Sequence, residues 1–119
     1  MNDTDFETLV DRAYESLPLK WRQQLSNVGV CVDDRYPKNR NVLGLYEGVE
    51  MTRRGSNPSG LLPDKITLFR ETILAVAQRT DGDVYRVVRE TLIHEIAHHF
   101  GWSDAQIKDV FEARWRQDI

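Results

Sequence analysis

Three residues in the last third of the chain have the types and the spacing that metal-dependent chemistry needs. His94, Glu95 and His98 form the pattern H-E-x-x-H in a stretch with helical periodicity. Because four residues advance a helix by slightly more than one turn, both imidazoles project from one face and can reach one zinc ion. Glu95 lies beside that face, where a carboxylate can take a proton from a water that the metal activates. The pattern predicts a zinc site suited to hydrolysis.

A third ligand is predicted a short distance beyond the second histidine. A catalytic zinc usually has three protein ligands and one open position. Gly101 provides a sharp exit from the helix, so Asp104 can turn back toward the metal. The alternative is that Asp104 only complements the dipole of the next helix, in which case Glu112 is the substitute ligand. His99 points about 100° away from His98 around the helix, so we expect it to pack or to form hydrogen bonds instead.

The helix that carries the motif is predicted to run from Val84 to Phe100 and to end at Gly101 in a left-handed cap. Thr91 shares a row with His94 and His98, which puts the histidines on the inward side of the helix, facing a cleft. The alternative is a chance match, with two histidines whose hydrogen bonds are satisfied within the core.

The other predicted elements form a frame for this helix. Apolar periodicity, strand-like alternation and turn residues predict a single α+β domain over residues 1–119, with a loop at Arg53–Asp64. In chain order we expect a helix over Phe6–Leu17 capped by Thr4 and Glu7, a helical turn at Leu19–Leu25, strands at Val28–Val32, Val42–Tyr46 and Lys65–Phe69, a helix at Glu71–Arg79, and a helix from Ser103 after the motif helix.

Composition and charge limit the partners. The net charge of -3 comes from 16 basic and 19 acidic residues without a long basic run, so nucleic acid is not an expected partner. No apolar stretch approaches the ~20 residues that span a bilayer, and the first residues do not resemble a signal peptide, which predicts a cytoplasmic protein with no membrane contact. Cys31 is the only cysteine and is expected to be a buried small hydrophobic residue.

The expected partner is a peptide or protein substrate, and the oligomeric state is not predicted. Tyr46, Arg53 and Arg54 are candidates for binding the substrate or an oxyanion, the alternative being ordinary packing or solvated positions. A peptide is expected to add as a strand along the edge near Val42–Tyr46.

With these residues in view, the chain resembles the small bacterial zincin-like metallopeptidases, also called minimal zincins. The resemblance covers most of residues 6–105, and outside the metal helix it includes the end of the strand at Val32-Asp33 and the stretches Leu43–Gly48, Thr52–Arg54 and Pro63–Arg70. It implies a small mixed sheet packed on an active-site helix between N- and C-terminal helices.

The resemblance also implies a site and an activity. Zinc would be held by His94, His98 and Asp104, with Glu95 as the general base of peptide-bond hydrolysis. The methionine turn of the related metzincins is absent, because Met1 and Met51 both precede the motif. Two other functions stay open: a zinc-binding interaction or regulatory module with little or no general proteolysis, and a dedicated processing factor that cuts one partner.

Overall fold

The computed structural model describes residues 1–48, 64–103 and 105. Within them it confirms the predicted α+β class, with a small mixed sheet and helices around it. The elements are α1 (Asp3–Glu15), α2 (Leu19–Gln24), β1 (Val28–Asp33), β2 (Gly44–Glu47), β3 (Asp64–Phe69), α3 (Arg70–Arg79) and α4 (Val84–His99). The predicted loop after Arg53 and most of the predicted last helix lie outside the described residues, and no described helix is long and apolar enough to cross a bilayer.

The sheet has the strand order β1-β3-β2, with β3 in the centre. β1 runs parallel to β3, and β2 runs antiparallel to it with Gly44 opposite Leu68 and Tyr46 opposite Ile66. Among the described strands β2 is therefore an edge. The amide of Phe69 donates to the carbonyl of Leu43 at 2.9 Å. Because hydrogen-bonded pairs alternate along an antiparallel ladder, the backbone groups of Gly44 and Tyr46 are directed away from β3.

The core lies between the sheet and the surrounding helices, and α4 is its central helix. α4 packs against α1, α3, β2 and β3. Val88, Leu92 and Ile96 follow one another at steps of four residues, and none of the three is accessible to solvent. They meet fully buried side chains from α1, β3 and α3, namely Phe6, Ile66, Leu68 and Ile73. The apolar face of α4 therefore fixes the helix against the sheet, which sets the position of the motif.

Two local predictions need correction. Helix α1 is capped by Asn2, whose side chain accepts from the amide of Asp5 at 2.8 Å, so the prediction of Thr4 as the N-cap was wrong. Asparagine is at least as strong an N-cap as threonine and lies where the backbone is still extended. The prediction that Cys31 is buried was also wrong, because this residue is only half-buried. The outer strand β1 is covered less completely than the central strand β3, which explains the partial exposure. The Sγ of Cys31 lies 3.4 Å from Oγ1 of Thr67.

Candidate metal centre

Local signals at both ends of α4 explain why the motif is helical. At the start, the side chain of Asp83 accepts from the amide of Arg86 at 3.0 Å. At the end, Gly101 has a φ of 78°. Its amide donates to the carbonyl of His98 at 3.0 Å, and the amide of Trp102 donates to the carbonyl of Ala97 at 3.0 Å. These two bonds form a Schellman motif, so the predicted left-handed glycine cap is confirmed. The helix thus ends within one turn of the second motif histidine.

The two motif histidines face each other across one helical turn. Nε2 of His94 lies 3.2 Å from Nε2 of His98, and the rings are 4.8 Å apart between centroids at an angle of 75°. Two protonated nitrogens would both be donors, so at least one of them presents a lone pair to the other. The paired rings therefore converge on one point, as the sequence pattern predicts.

The distance between these two nitrogens fits the geometry of zinc coordination. Two nitrogens that each lie about 2.0–2.1 Å from one tetrahedral zinc ion are separated by roughly 3.3 Å. The observed 3.2 Å is close to that value, although it is also a hydrogen-bond distance. The ligand atoms of His94, Glu95 and His98 all lie within 4.8 Å of one another. The three side chains are therefore positioned to hold a metal ion.

Glu95 lies on the buried side of the cluster. Glu95 is 8% exposed, and this burial raises the pKa of its carboxyl group above the ordinary value. Two smaller influences oppose this shift, namely the charge of His98 and a hydrogen bond from the backbone amide of Tyr46. The carboxylate is thus held between the helix and the outward-facing backbone of β2. A carboxyl with a raised pKa beside two histidines is suited to accept and return a proton.

The close approach of β2 to α4 depends on a glycine. A Cβ atom at Gly44 would lie 2.9 Å from Cγ2 of Thr91 and 3.2 Å from Cγ of Glu95. Any larger residue would force the strand and the helix apart. Gly44 therefore allows the edge strand to pass directly over the helix face that carries Glu95.

Two rows of α4 have different surroundings. Thr91, Glu95 and His99 follow at steps of four residues, and all three are buried. His94 and His98 are half-buried, so they lie at the border of the core. The row of Thr91 and Glu95 packs on β2 at Gly44. The partial exposure of the two histidines leaves access for a metal ion.

His99 is buried and hydrogen-bonded, as predicted. Its Nδ1 lies 2.8 Å from Oδ2 of Asp64, and the hydroxyl of Tyr46 lies 2.6 Å from the same oxygen. Sequence reasoning missed Asp64, because 35 residues separate it from His99 and no periodic pattern connects the two.

Of the remaining candidate residues, Tyr46 reaches the centre through its backbone amide, which donates to Glu95. The hydroxyl of Tyr46 bonds to Asp64, and its role as a substrate-binding residue stays a prediction. Arg53, Arg54, Asp104 and Glu112 lie outside the described residues, so the third ligand and the two arginines also stay predictions.

Comparison with known proteins agrees with this fold and site. The family model of the zincin-like metallopeptidases matches residues 25–114, and the chain therefore belongs to that family. The solved structure of a conserved hypothetical protein from Thermus thermophilus is 28% identical and has a TM-score of 0.56, with 84% of this chain and 94% of that chain covered. No curated protein matches the sequence. Membership in the family suggests a hydrolase.

Proposed function

We propose that this protein is a zinc-dependent metallopeptidase that hydrolyses peptide bonds, with His94, His98 and Asp104 as metal ligands and Glu95 as the general base. The observation that carries the proposal is the convergence of Nε2 of His94 and Nε2 of His98, 3.2 Å apart, beside the buried carboxyl of Glu95. Family membership supports the same reading.

The side chains divide the chemistry between them. When bound, zinc would polarise the scissile carbonyl and make a water molecule more acidic. The two imidazoles would hold the metal as neutral ligands. The carboxylate of Glu95 would take the proton of the attacking water and pass it to the leaving amine. Its raised pKa suits this exchange, because a carboxylate with a low pKa is a weak base and takes up a proton poorly.

The outer edge of β2 is the proposed position of the substrate. β2 pairs with β3 on one side, and no second strand pairs with it among the described residues. The backbone groups of Gly44 are directed to the open side, next to Glu95. A peptide in extended form could add to this edge through its main chain, which would bring its backbone next to the centre. Such binding depends little on side chains, so the substrate class is an extended peptide segment.

Metal analysis of the purified chain tests the ligand set. We expect one zinc per parent chain, little or none in His98→Ala, and weaker binding in Asp104→Ala. Glu95→Gln keeps the shape of the side chain and should retain zinc, so it is the matched control. If Asp104→Ala binds zinc as tightly as the parent, Asp104 is not a ligand and Glu112→Ala becomes the next variant to test.

A peptidase assay tests the reaction. The zinc-loaded parent should cleave casein or a member of a broad peptide library, and Glu95→Gln should lose this activity with zinc still bound. Zinc binding without turnover of any peptide would contradict a general peptidase. That result would favour the interaction module or the processing factor dedicated to one partner.

A further inference from the structure

A buried polar cluster joins the last residue of α4 to the edge of the sheet. It consists of Tyr46, Asp64 and His99, and is called the Asp64 cluster below. Asp64 and His99 are each 3% exposed. Oδ2 of Asp64 lies 2.6 Å from the hydroxyl of Tyr46 and 2.8 Å from Nδ1 of His99, and the hydroxyl and Nδ1 are 3.1 Å apart. Two polar groups therefore meet at one buried carboxylate oxygen.

The direction of the hydrogen bonds follows from the acceptor. The hydroxyl of Tyr46 donates to Oδ2 of Asp64, and when the carboxylate is ionised and only accepts, Nδ1 of His99 donates to the same oxygen. Bonds to a charged acceptor are shorter and stronger than neutral ones, which agrees with 2.6 and 2.8 Å. Removing one donor would leave the buried carboxylate less well satisfied. The cluster is therefore expected to act as a unit.

The cluster connects three elements that are distant in sequence. Tyr46 belongs to β2, Asp64 begins β3, and His99 ends α4. Continuing the register of β2 and β3 puts Gly48 opposite Asp64, and a Cβ at Gly48 would overlap the carboxyl group. The absence of a side chain at Gly48 leaves the space that the carboxylate occupies. The local sequence is thus suited to hold Asp64 in this place.

Both ends of the cluster reach the candidate metal centre. The backbone amide of Tyr46 donates to Glu95, while its hydroxyl donates to Asp64. His99 follows His98 directly and lies one turn beyond Glu95 on the same row of α4. A shift of β2 relative to the end of α4 would therefore move the amide that holds Glu95 and the turn that carries His98.

We propose that Tyr46, Asp64 and His99 are positioning residues that lock β2 onto the last turn of α4 and so fix Glu95 and His98 in the arrangement that binds the metal. This inference rests on the proposed metal site. It gives the hydroxyl of Tyr46 a role in the metal site, and this role does not require contact with the substrate.

Zinc affinity, measured by competition with a chelator, tests the proposal. Tyr46→Phe retains the ring and loses only the hydroxyl, and Asp64→Asn retains the shape of the side chain and loses its charge. Each should weaken zinc binding about tenfold, the lower end of the effect seen when outer-shell partners of metal ligands are changed. Because the cluster acts as a unit, the double variant should also be about tenfold weaker and not about a hundredfold weaker.

Two controls and a spectrum separate positioning from stability. Tyr85→Phe makes the same chemical change at the other end of α4, and Ile73→Val loosens the core at a fully buried position of α3. Both should bind zinc like the parent. With cobalt in place of zinc, the visible absorption bands should shift in Tyr46→Phe and Asp64→Asn but not in the controls. Circular dichroism verifies that each variant is folded.

The outcomes distinguish this proposal from the proposed function. If His98→Ala abolishes zinc binding while Tyr46→Phe and Asp64→Asn keep the parent's affinity and cobalt spectrum, the positioning role is wrong and the metal site stands. Equal weakening in Ile73→Val would also overturn it, because a general loss of stability would then be sufficient. A parent chain that binds no zinc would overturn both proposals.

Discussion

Replacing Gly44 by alanine tests the contact between β2 and α4 that holds the candidate site together. Gly44 does not have a positive φ, so alanine is compatible with the backbone. The added Cβ would lie 2.9 Å from Cγ2 of Thr91 and 3.3 Å from the carbonyl oxygen of Thr67. Thr91 cannot easily turn its methyl group away, because its hydroxyl donates to the carbonyl of Val87 at 2.7 Å. The strand or the helix therefore has to move.

The expected loss follows from two opposing terms. Overpacking a buried contact costs about 1–3 kcal/mol, and replacing glycine by alanine in a strand returns about 0.5–1 kcal/mol. We expect the free energy of unfolding to fall by about 1–2 kcal/mol in Gly44→Ala. Urea unfolding in the presence of a chelator measures this loss without the contribution of bound metal.

A second substitution identifies the source of the loss. Thr91→Ser removes Cγ2 and keeps the hydroxyl that bonds to Val87, so Gly44→Ala should cost much less in that background. Gly29→Ala is the matched control on β1, because among the described residues its Cβ would meet only the carbonyl oxygen of Asp64, at 3.9 Å. If Gly44→Ala is as stable as the parent, or if Thr91→Ser does not relieve it, β2 and α4 do not approach each other as described.

Other predictions concern the charge of Glu95, the protonation of the ligands and the core. Burial raises the pKa of Glu95 above 4.5, so the native state binds this proton more tightly than the unfolded state and stability falls as the pH rises past 4.5. The metal-free Glu95→Gln chain should therefore be more stable than the parent at neutral pH and lose this advantage below pH 4.5, as urea titrations at both pH values would show. Zinc affinity, followed by calorimetry, should fall on acidification because His94 and His98 must be deprotonated to bind the metal, and an affinity that does not change with pH would contradict histidine ligation. In urea unfolding, Ile96→Ala should cost about 2–5 kcal/mol because Ile96 is fully buried, whereas Leu19→Ala at a 60% exposed position should change stability by less than about 0.5 kcal/mol.

The motif helix was predictable because its signals are local. The spacing of His94 and His98 determines that they share a face, and Gly101 determines where the helix ends. The strands were predicted within one residue of their observed bounds, apart from the start of β2, where the sequence suggested Val42 and the structure has Gly44. The carbonyl of Leu43 already accepts a hydrogen bond from the amide of Phe69, so the difference concerns only the residue at which the strand is said to begin.

The surroundings of the site were not predictable from the same signals. Periodicity indicates which residues share a face of one element, but not which face of α4 meets β2. The burial of Glu95 against β2 was not predicted for this reason, since the sheet edge packs on the row that contains Glu95. The role of Asp64 was also hidden, because its partners Tyr46 and His99 belong to other elements.

The sequence by itself determined the α+β class and the pairing of the two histidines on one helix face, because each depends on residue types at short spacing within one element. Only the tertiary structure decided that Glu95 is buried against the backbone of β2 and that Asp64 joins the sheet to the end of α4. These contacts link residues that are distant along the chain, and they form only when the apolar face of α4 is buried against the sheet.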